Sequence, residues 1–317
     1  MQIHGHAIRV GIHSGQQYAE FGDLLGLWHR AEQLGYDWVS VFDHFRPPLG
    51  GPEGPCLEGT TALAARTTRV RCAMLVSSVA WRHPAVLAAI AATIDHISGG
   101  RAEFGLGAGG ADLGYQQYGI PFPRRDVRLG MLEEACQVVR SLWAGKPTNF
   151  DGAHFRLVSA HLSPRPLQAR LPLIVGAEDE RRTLRIVARH ADIWNVLVCD
   201  PVTYRRKLGA LANHCAAVGR DPADIRKSMT FRAVLEEDER SALRRAESLR
   251  RTASAAGAVW AEYLVAGTPE QCASRLRPYL ELGVRDFVLG IRPPVDWTTM
   301  ELFARQVAPA LRTHAGK

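Results

Sequence analysis

The sequence of 317 residues has no hydrophobic run long enough to cross a membrane. No stretch without Asp, Glu, Lys or Arg is longer than 83–94, whereas a membrane-spanning helix needs about 20 apolar residues. The N-terminus also lacks the basic-then-apolar pattern of a secretory signal. With 46% hydrophobic and 22% charged residues, the composition is that of a globular chain with a sizeable core. We therefore expect a cytoplasmic protein with no membrane partner.

Motifs for metal binding and for several hydrolytic mechanisms are missing. The six cysteines stand alone, with no CxxC pair and no histidine cluster at metal-ligand spacing. This pattern predicts reduced, mostly buried thiols and no metal site. GxSxG, HExxH and Walker A sequences are absent, so serine hydrolase, zinc protease and P-loop nucleotide hydrolase functions lack support.

A concentrated stripe of positive charge is also lacking. The formal net charge is +7, from 39 basic and 32 acidic residues, but the excess is spread along the chain and peaks only locally at 240–251. This distribution favours a solvated helix face over a nucleic-acid interface, so no nucleic-acid partner is expected. A mild positive field suits an anionic small molecule.

Short apolar or β-branched runs alternate with longer helical patterns from end to end. The predicted strands are 8–14, 38–44, 70–76, 102–108, 173–177, 192–197, 228–235 and 287–291. This alternation is typical of a parallel sheet, and eight strands favour a closed barrel over an open sheet. The sequence thus predicts an α/β fold, a (β/α)8 TIM barrel, as a single domain over 1–317.

Helical periodicity fills the intervals between these strands. The predicted helices are 21–34, 60–67, 84–97, 125–144, 181–189, 201–218, 241–256 and 269–282. Residues 145–172 have four prolines and no helical period, which predicts an insertion over one end of the barrel with a short hairpin around 150–157.

In a parallel barrel the chemistry lies at the C-terminal ends of the strands. The residues at those ends are 13–14, 43–45, 76–78, 107–110, 176–179, 194–195 and 292. Among them His44 can transfer a proton near neutral pH, although a histidine bonded to the backbone is an equally good interpretation. Asp43 either orients this imidazole or caps the following turn.

Two further strand ends have glycine-rich or charged patterns. The glycines of 105–110 let a planar ring or a phosphate approach the backbone, or serve only a tight turn at the barrel rim. They do not form a dinucleotide fingerprint, because the third glycine is misplaced and no helix follows directly. The turn 178–182 either binds phosphate at a helix N-terminus, helped by Arg181, or is a helix start capped by its own carboxylates.

Several longer segments together resemble the bacterial luciferase-like flavin and deazaflavin oxidoreductases. The resemblance is carried by AEQLGYDWVSVFDHF (31–45), LAARTTRVR (63–71), RHP (82–84), TIDHISGGR (93–101), GLGAG (105–109), YGIPFP (118–123), ERRTLR (180–185) and ADIWN (191–195). These segments follow the family's order over nearly the whole chain. They are most similar to the actinobacterial branch that depends on the deazaflavin coenzyme F420.

This resemblance implies a barrel with a deazaflavin or flavin ring at its mouth and hydride transfer as the chemistry. It implies a non-proline cis peptide at about Met74-Leu75 that supports the ring from behind, with His44 over the ring's redox-active part. The assigned cofactor residues are Asp43, Met74, Leu75, Gly107, Ala108, Gly109, Gly176, Ala177 and Arg181. Substrate contacts are assigned to Trp81, Tyr115 and Trp194. The substrate pocket is expected from 46–57, 111–123 and 145–172.

Three departures from the family pattern qualify this implication. Gly110 stands where a bulky aromatic is common, which predicts a more open substrate side. Ala177, Glu178 and Asp179 replace the usual glycine-rich turn, which places the phosphate contacts in question. The glutamate that acts as the acid in sugar-phosphate dehydrogenases would fall near Gly110 and is absent, so a sugar phosphate is not the expected substrate.

The leading hypothesis is an F420-dependent reductase or dehydrogenase acting on a small organic or natural-product substrate. An FMN-dependent monooxygenase that receives reduced flavin from a separate reductase is the alternative within the fold. A barrel that has lost its cofactor and acts as a binding protein is the alternative outside enzymology. A homodimer is expected from the resemblance.

Overall fold

The computed structural model describes residues 6–16, 19–44, 59–110, 113–251 and 262–314. Its strands are β1 (Arg9–Ser14), β2 (Trp38–Asp43), β3 (Arg71–Ser78), β4 (Ala102–Gly107), β5 (Thr148–Asp151), β6 (Arg156–Ala160), β7 (Leu173–Gly176), β8 (Ile193–Leu197), β9 (Arg226–Phe231), β10 (Ala233–Leu235), β11 (Val265–Gly267) and β12 (Val284–Ile291). Its α-helices are α1 (Phe21–Gln33), α2 (Gly59–Arg66), α3 (Pro84–Ser98), α4 (Leu113–Gln117), α5 (Arg125–Trp143), α6 (Thr183–His190), α7 (Pro201–Ala216), α8 (Glu239–Arg251), α9 (Pro269–Glu281), α10 (Trp297–Leu302) and α11 (Ala308–His314). A 3-10 turn at Pro222–Asp224 and a π-helical turn at Phe303–Val307 complete the set.

Eight parallel strands close into a barrel in the order β1-β12-β9-β8-β7-β4-β3-β2. Each of them overlaps one of the eight predicted strands, so the predicted (β/α)8 barrel is confirmed. Helices pack around the barrel and bury a large apolar core between the two layers. The C-terminal ends of all eight strands therefore meet at one mouth.

The structure differs from the predicted elements in several places, including helices α10 and α11, which follow the last predicted helix. Predicted strand 228–235 is two strands, because β9 stays in the barrel while β10 pairs with β11 in a separate sheet. A short helix, α4, lies inside the predicted loop 111–123. The predicted helix at 181–189 begins only at Thr183. The end of predicted helix 241–256 lies outside the described residues.

The predicted hairpin in the insertion is present as antiparallel β5 and β6. Glu134 of α5 fastens it, since its carboxylate accepts the backbone N–H groups of Ala153, His154 and Phe155 at 2.8–3.0 Å. The Phe155 ring also packs against His83 at the start of α3. The hairpin thus lies on the outer helices, whereas Gln168, later in the insertion, reaches the N-terminal end of the barrel strands, where it donates to the Ala102 carbonyl and accepts from Arg71.

The barrel interior is filled by side chains at mid-height and charged at the bottom. Six apolar residues pack inside it: Trp38, Ala73, Leu75, Ile174, Ile193 and Val288. Gly11 makes room for the Trp38 indole, because a Cβ at Gly11 would lie 2.6 Å from Trp38 Cε3. At the N-terminal end of the strands, buried Glu103 accepts hydrogen bonds from Arg9, Arg71 and the Trp38 indole N–H.

Asp286 extends this charged network to a third arginine. Its carboxylate accepts from Arg9 and from Arg226, each at 2.6 Å. Burial acts to raise the pKa of Glu103, but Arg9 and Arg71 outweigh it and the pKa is lowered. The barrel floor is thus a network of ionised, mutually satisfied side chains.

No helix within the described residues is long and apolar enough to cross a membrane. A search of the same part of the chain finds no group of three or more His, Cys, Asp or Glu side chains arranged to hold a metal ion.

Candidate active site

A cavity of about 360 Å³ opens at the C-terminal ends of the barrel strands. We call it the barrel cavity. This volume is within the range of small-molecule and cofactor sites. Its wall is apolar on the side of β3 and β7, where Leu75, Val76, Gly176 and Ala177 line it. The wall is polar on the side of β1, β9 and β12.

The apolar wall is shaped by an irregularity in β3. The peptide bond between Leu75 and Val76 is cis, one residue further along than the position implied by the resemblance. The pairing register of β3 shifts here against both β2 and β4. Leu75 and Val76 form an apolar patch in the cavity wall, while Met74 is buried on the outer side in the helix-facing core.

The glycines of β4 serve this irregularity. A Cβ at Gly107 would lie 2.7 Å from Val76 Cγ2, and one at Gly105 only 2.3 Å from the Met74 carbonyl oxygen. Both positions are therefore closed to larger residues by β3 itself. Gly107 stands beside the apolar wall but does not line the barrel cavity.

Ala108 and Gly109 form the rim beyond β4, also outside the cavity lining. Arg128 of α5 holds this rim, because its guanidinium donates to the Ala108 carbonyl at 2.9 Å and the Gly109 carbonyl at 3.4 Å. Gly109 has φ +79° and lies against the hydroxyls of Ser78 and Tyr115. Its conformation favours glycine independently of any ligand.

His44 lines the barrel cavity at the end of β2, next to Phe42. Its ring meets the Phe42 ring edge-on at 5.3 Å and the Trp81 ring at 6.5 Å between centroids. Aromatic side chains therefore fix the location of His44 at the cavity edge.

Asp43 points to the opposite side of β2, as successive residues of a strand do. Its buried carboxylate accepts the Ser77 hydroxyl and the Arg82 guanidinium, each at 2.6 Å. Asp43 thus ties β2 to β3 and to the loop before α3. These contacts do not orient His44, the turn that Asp43 was predicted to cap lies outside the described residues, and Asp43 does not line the barrel cavity.

The polar wall contains residues that the sequence analysis did not assign to the site. His13 of β1, Asn195 of β8, Thr230 of β9, and Arg232 and Arg292 beyond β9 and β12 line it. His13 Nδ1 lies 2.8 Å from Ser40 Oγ, and the Asn195 amide donates to Ser228 and Thr230 hydroxyls at 3.0 Å. His13 and Arg292 stand at predicted strand ends, whereas Arg232 was hidden inside predicted strand 228–235.

Burial and nearby positive charge alter the titration of this wall. Burial, with Arg232 and His44 nearby, lowers the pKa of His13 to about 4. Burial and Arg292 lower the pKa of Arg232 to about 10. At neutral pH the wall therefore presents a neutral imidazole beside a guanidinium cation.

The acidic turn after β7 is a self-capped helix start. Asp179 accepts the Arg182 backbone N–H at 2.7 Å, and this hydrogen bond lowers the pKa of Asp179. Glu180 pairs with Arg206 at 2.8 Å. The Asp179 carboxylate is therefore already engaged directly before α6. These contacts agree with the interpretation of this turn as a helix start that its own carboxylates cap.

Glu178 lines the barrel cavity, but its carboxylate is engaged on the outer side. The Leu197 backbone N–H donates to it at 2.7 Å, and Lys207 Nζ lies 3.2 Å away. Arg181, in the same turn, is exposed to solvent and outside the cavity lining.

The three aromatic residues assigned to substrate do not line the cavity. Trp194 is fully buried between β8 and α7, stacks on Tyr204, and donates its indole N–H to the Ala177 carbonyl at 2.9 Å. It faces away from the barrel, and the adjacent Asn195 faces in. Trp81 and Tyr115 stack on each other at 3.7 Å, with the Tyr115 hydroxyl on Ser78 at 2.5 Å, and support the rim behind His44.

The segments assigned to the substrate pocket also lie elsewhere. Residues 46–57, 111 and 112 are outside the described residues. Those of 113–123 and 145–172 do not line the barrel cavity. Of the cofactor and catalytic residues assigned from the sequence, the structure brings His44, Leu75, Gly176 and Ala177 together in the cavity wall.

Comparison with known proteins gives consistent matches. The model of the luciferase-like monooxygenase family matches residues 4–286. The F420-dependent glucose-6-phosphate dehydrogenase of Microbacterium testaceum is 27% identical over 96% of this chain and 98% of its own. The enzyme of the same name from Nocardia farcinica is 29% identical over 93% of this chain and 96% of its own.

Solved structures share the fold at lower identity. An F420-dependent secondary alcohol dehydrogenase, in complex with an F420–acetone adduct, has a TM-score of 0.83 at 22% identity and covers 96% of this chain and 99% of its own. The monooxygenase RslO1 from Streptomyces bottropensis has a TM-score of 0.80 at 23% identity and covers 95% and 99%. At these identities the likeness is one of fold.

Proposed function

The chain belongs to the luciferase-like monooxygenase family, and on that premise we propose that it is an oxidoreductase that transfers a hydride between coenzyme F420 and a small organic substrate. The observation that carries this proposal is the match, over more than nine-tenths of both chains, to enzymes named as F420-dependent. The barrel cavity supplies a site of suitable size and chemistry for it.

The apolar wall fits a planar cofactor ring. Leu75 and Val76 form an apolar patch, and Gly176 beside them leaves the adjoining surface open, since its missing Cβ would lie 3.6 Å from Val76. A ring on this patch would have His44 at its edge and the polar wall opposite. When bound there, the deazaflavin would supply a ring carbon that accepts or donates the hydride.

The acidic turn does not fit the phosphate of the cofactor. Asp179 accepts the N–H of Arg182, the residue just before α6, and its carboxylate repels an anion there. We therefore propose that the phosphate of the cofactor does not bind at this turn.

In the proposed reaction the residues of this chain hold the cofactor and the substrate face to face and transfer the proton. The Leu75–Val76 patch excludes water from one face of the ring position. His44 exchanges the proton that accompanies the hydride, because it lies at the cavity edge with access to solvent. The polar wall orients the substrate oxygen.

A small ketone, aldehyde or alcohol is our proposed substrate class. The relatives are named for glucose 6-phosphate, but the glutamate expected near Gly110 is absent from this chain. We further propose a cytoplasmic homodimer served by a separate reductase that returns the cofactor to its reduced form. Light scattering of the purified protein would measure the oligomeric state.

The proposed function is tested by turnover with reduced F420. Oxidation of the cofactor is followed by absorbance against a panel of small ketones and aldehydes, and reduction of oxidised F420 is followed against alcohols and glucose 6-phosphate. Turnover of at least one panel compound, with no turnover when FMN replaces F420, is the expected result. Activity that requires FMN and oxygen would instead support the monooxygenase alternative.

A further inference from the structure

The polar wall of the barrel cavity is built from three neighbouring strands. β1, β12 and β9 are adjacent in the barrel, and His13 of β1 is in register with Gly290 of β12. Arg232 follows the last residue of β9, and Arg292 follows the last residue of β12. The cationic side chains and His13 thus converge on one part of the cavity.

Gly290 allows Arg232 to reach His13. A Cβ at Gly290 would lie 3.4 Å from Arg232 Cγ and 3.9 Å from Arg232 Nε, so the arginine side chain crosses β12 directly over this glycine. A larger residue at position 290 would crowd the Arg232 side chain. Because Gly290 has no side chain, the Arg232 guanidinium can approach the His13 imidazole across β12.

His13 is held in one orientation by its ring nitrogen Nδ1. Ser40 Oγ lies 2.8 Å from Nδ1 and 3.5 Å from the Ile12 carbonyl oxygen. If the single Ser40 proton is donated to Nδ1, the nearer acceptor, and not to the Ile12 carbonyl, the imidazole proton is on Nε2. A neutral His13 in this tautomer presents an N–H donor to the cavity.

The charged groups around His13 favour its neutral form. Arg232 faces it from the end of β9, His44 from the end of β2, and Arg292 lines the same cavity from the end of β12. Glu178, across the cavity, has its carboxylate engaged with Lys207 and the Leu197 N–H. Burial adds to the effect of the cations, and the pKa of His13 falls to about 4.

We propose that His13 and Arg232 together bind the reacting oxygen of the substrate, His13 as a neutral hydrogen-bond donor and Arg232 as the cation that stabilises negative charge on that oxygen. This inference rests on the proposed function. In the reducing direction, with reduced deazaflavin bound, the carbonyl carbon would receive a hydride with its electron pair from the cofactor, and the C=O π pair would move to oxygen. The alkoxide would then take a proton from solvent through His44, while the oxidised cofactor would release its remaining proton to solvent.

Charge develops on oxygen during this step, so donors preorganised around it act mainly on the transition state. A neutral donor beside a fixed cation suits that task, because neither group has to change its protonation. Removing one such donor in an enzyme typically costs about 10²–10³ in kcat. His13 and Arg232 are therefore assigned as catalytic residues of the polar wall.

The first experiment measures binding of acetate, a small oxyanion, to the F420-loaded protein. His13→Ala and Arg232→Gln are compared with wild type, with Arg156→Gln as the control at an exposed arginine of the hairpin. Acetate affinity should fall at least tenfold in the two cavity variants and stay within about twofold in the control. F420 affinity should change less than threefold in all of them, because the ring patch is on the opposite wall.

The second experiment follows the His13 Cε1–H signal by NMR during a pH titration, with His13→Gln used to assign the signal. The wild-type signal should titrate near pH 4, and Arg232→Gln should raise this midpoint by at least one pH unit. Arg232→Lys, which keeps the charge, should leave it within half a unit. A merely structural Arg232 would not produce this charge-dependent difference.

Unchanged acetate affinity in both cavity variants, or a wild-type His13 that titrates near 6.5, would overturn the inference. A failure of the proposed function is distinguishable, since it would appear as absent F420 binding in the wild type. The acetate and NMR comparisons can still be made on the unloaded protein in that case.

Discussion

The two histidines of the barrel cavity have different surroundings and therefore different chemistry. His44 stands at the cavity edge against aromatic rings, whereas His13 is enclosed within the barrel beside Arg232. The low pKa of His13 suits a neutral donor, and the location of His44 suits exchange of a proton with solvent. The strand-end pattern pointed to His44, but the role of His13 depends on an arginine 219 positions away that only the fold brings near it.

Replacing His44 with alanine should lower turnover by about 10² or more while leaving the fold intact. The reason is that the proton accompanying the hydride would lose its nearest carrier at the cavity edge. Steady-state kinetics with reduced F420 measures the effect, and thermal unfolding checks the fold. His154→Ala, at an exposed histidine of the hairpin, is the matched control and should keep wild-type turnover. An unaltered rate in His44→Ala would remove this residue from the mechanism.

Trp194 illustrates why side-chain direction was not predictable from the sequence. Strands of a parallel barrel are buried on both faces, so their sequences lack the alternation that would distinguish inward from outward residues. Trp194 and Asn195 are both buried, but only Asn195 faces the cavity. The same ambiguity affects Asp43, whose contacts with Ser77 and Arg82 lie on the far side of β2.

The contact between β3 and β4 sets the shape of the cofactor wall. Val76 projects into space that Gly105 and Gly107 leave open, so these glycines are needed for packing whether or not a ligand contacts them. The sequence analysis kept both interpretations of the glycine-rich segment, and the structure explains Gly105, Gly107 and Gly109 through neighbouring protein atoms. Adding a side chain to β4 should therefore disturb β3 first.

We expect Gly107→Ala to lower the free energy of unfolding by about 1–3 kcal/mol, since its Cβ would overlap Val76. The cost should largely disappear in a Val76→Ala background, where the overlapping methyl groups are gone. A double-mutant cycle measured by urea unfolding gives this coupling. If the two substitutions are additive, then β3 packing is not the reason for the glycine.

The turn between β7 and α6 and the division of predicted strand 228–235 show how tertiary contacts decide local structure. Glu178 and Glu180 pair with Lys207 and Arg206 of α7, and Asp179 pairs with Arg125 of α5. β10 leaves the barrel because β11, some 30 residues later, offers a separate pairing partner. Neither outcome is encoded in local periodicity.

Across the whole barrel, charges are separated between its two ends. The floor holds Arg9, Arg71 and Arg226 paired with Glu103 and Asp286, while the mouth presents Arg232 and Arg292 to the cavity. The paired charges stabilise the closed barrel, and those at the mouth favour a ligand oxygen with negative charge. The net charge of +7 alone could not distinguish these roles.

Glu103→Gln should destabilise the protein by about 3–5 kcal/mol at neutral pH, because it removes the counter-charge of Arg71 and one of the two carboxylates that Arg9 contacts. The lowered pKa of Glu103 means that its ionised form stabilises the folded state at neutral pH. That contribution is lost as the pH falls below about 4.5, so the difference between variant and wild type should shrink there. Urea unfolding at several pH values measures it.

Glu281→Gln provides the control for this prediction at an exposed position, and its stability should stay at the wild-type value. A constant difference between Glu103→Gln and wild type down to pH 3 would contradict the assigned role of the carboxylate.

The barrel itself was predictable because many separate parts of the sequence indicate the same fold. Eight apolar runs with helical patterns between them allow few other arrangements, and an error of two residues at any boundary leaves the fold unchanged. The cavity was less predictable, since it depends on which side chains turn inward and on contacts between distant strands. His44, Leu75, Gly176 and Ala177 reached the cavity wall through the family resemblance, whereas Arg232 and His13 required the assembled barrel.

The most direct test of the account is a fluorescence titration of wild type and Gly176→Val with F420. The valine would fill the surface beside Leu75 and Val76, whereas Gly22→Val adds the same side chain at an open position of α1. Saturable F420 binding in wild type and Gly22→Val, weakened at least tenfold in Gly176→Val, is the predicted result. Equal binding by all three proteins, or none by the wild type, would contradict a deazaflavin site in the barrel cavity.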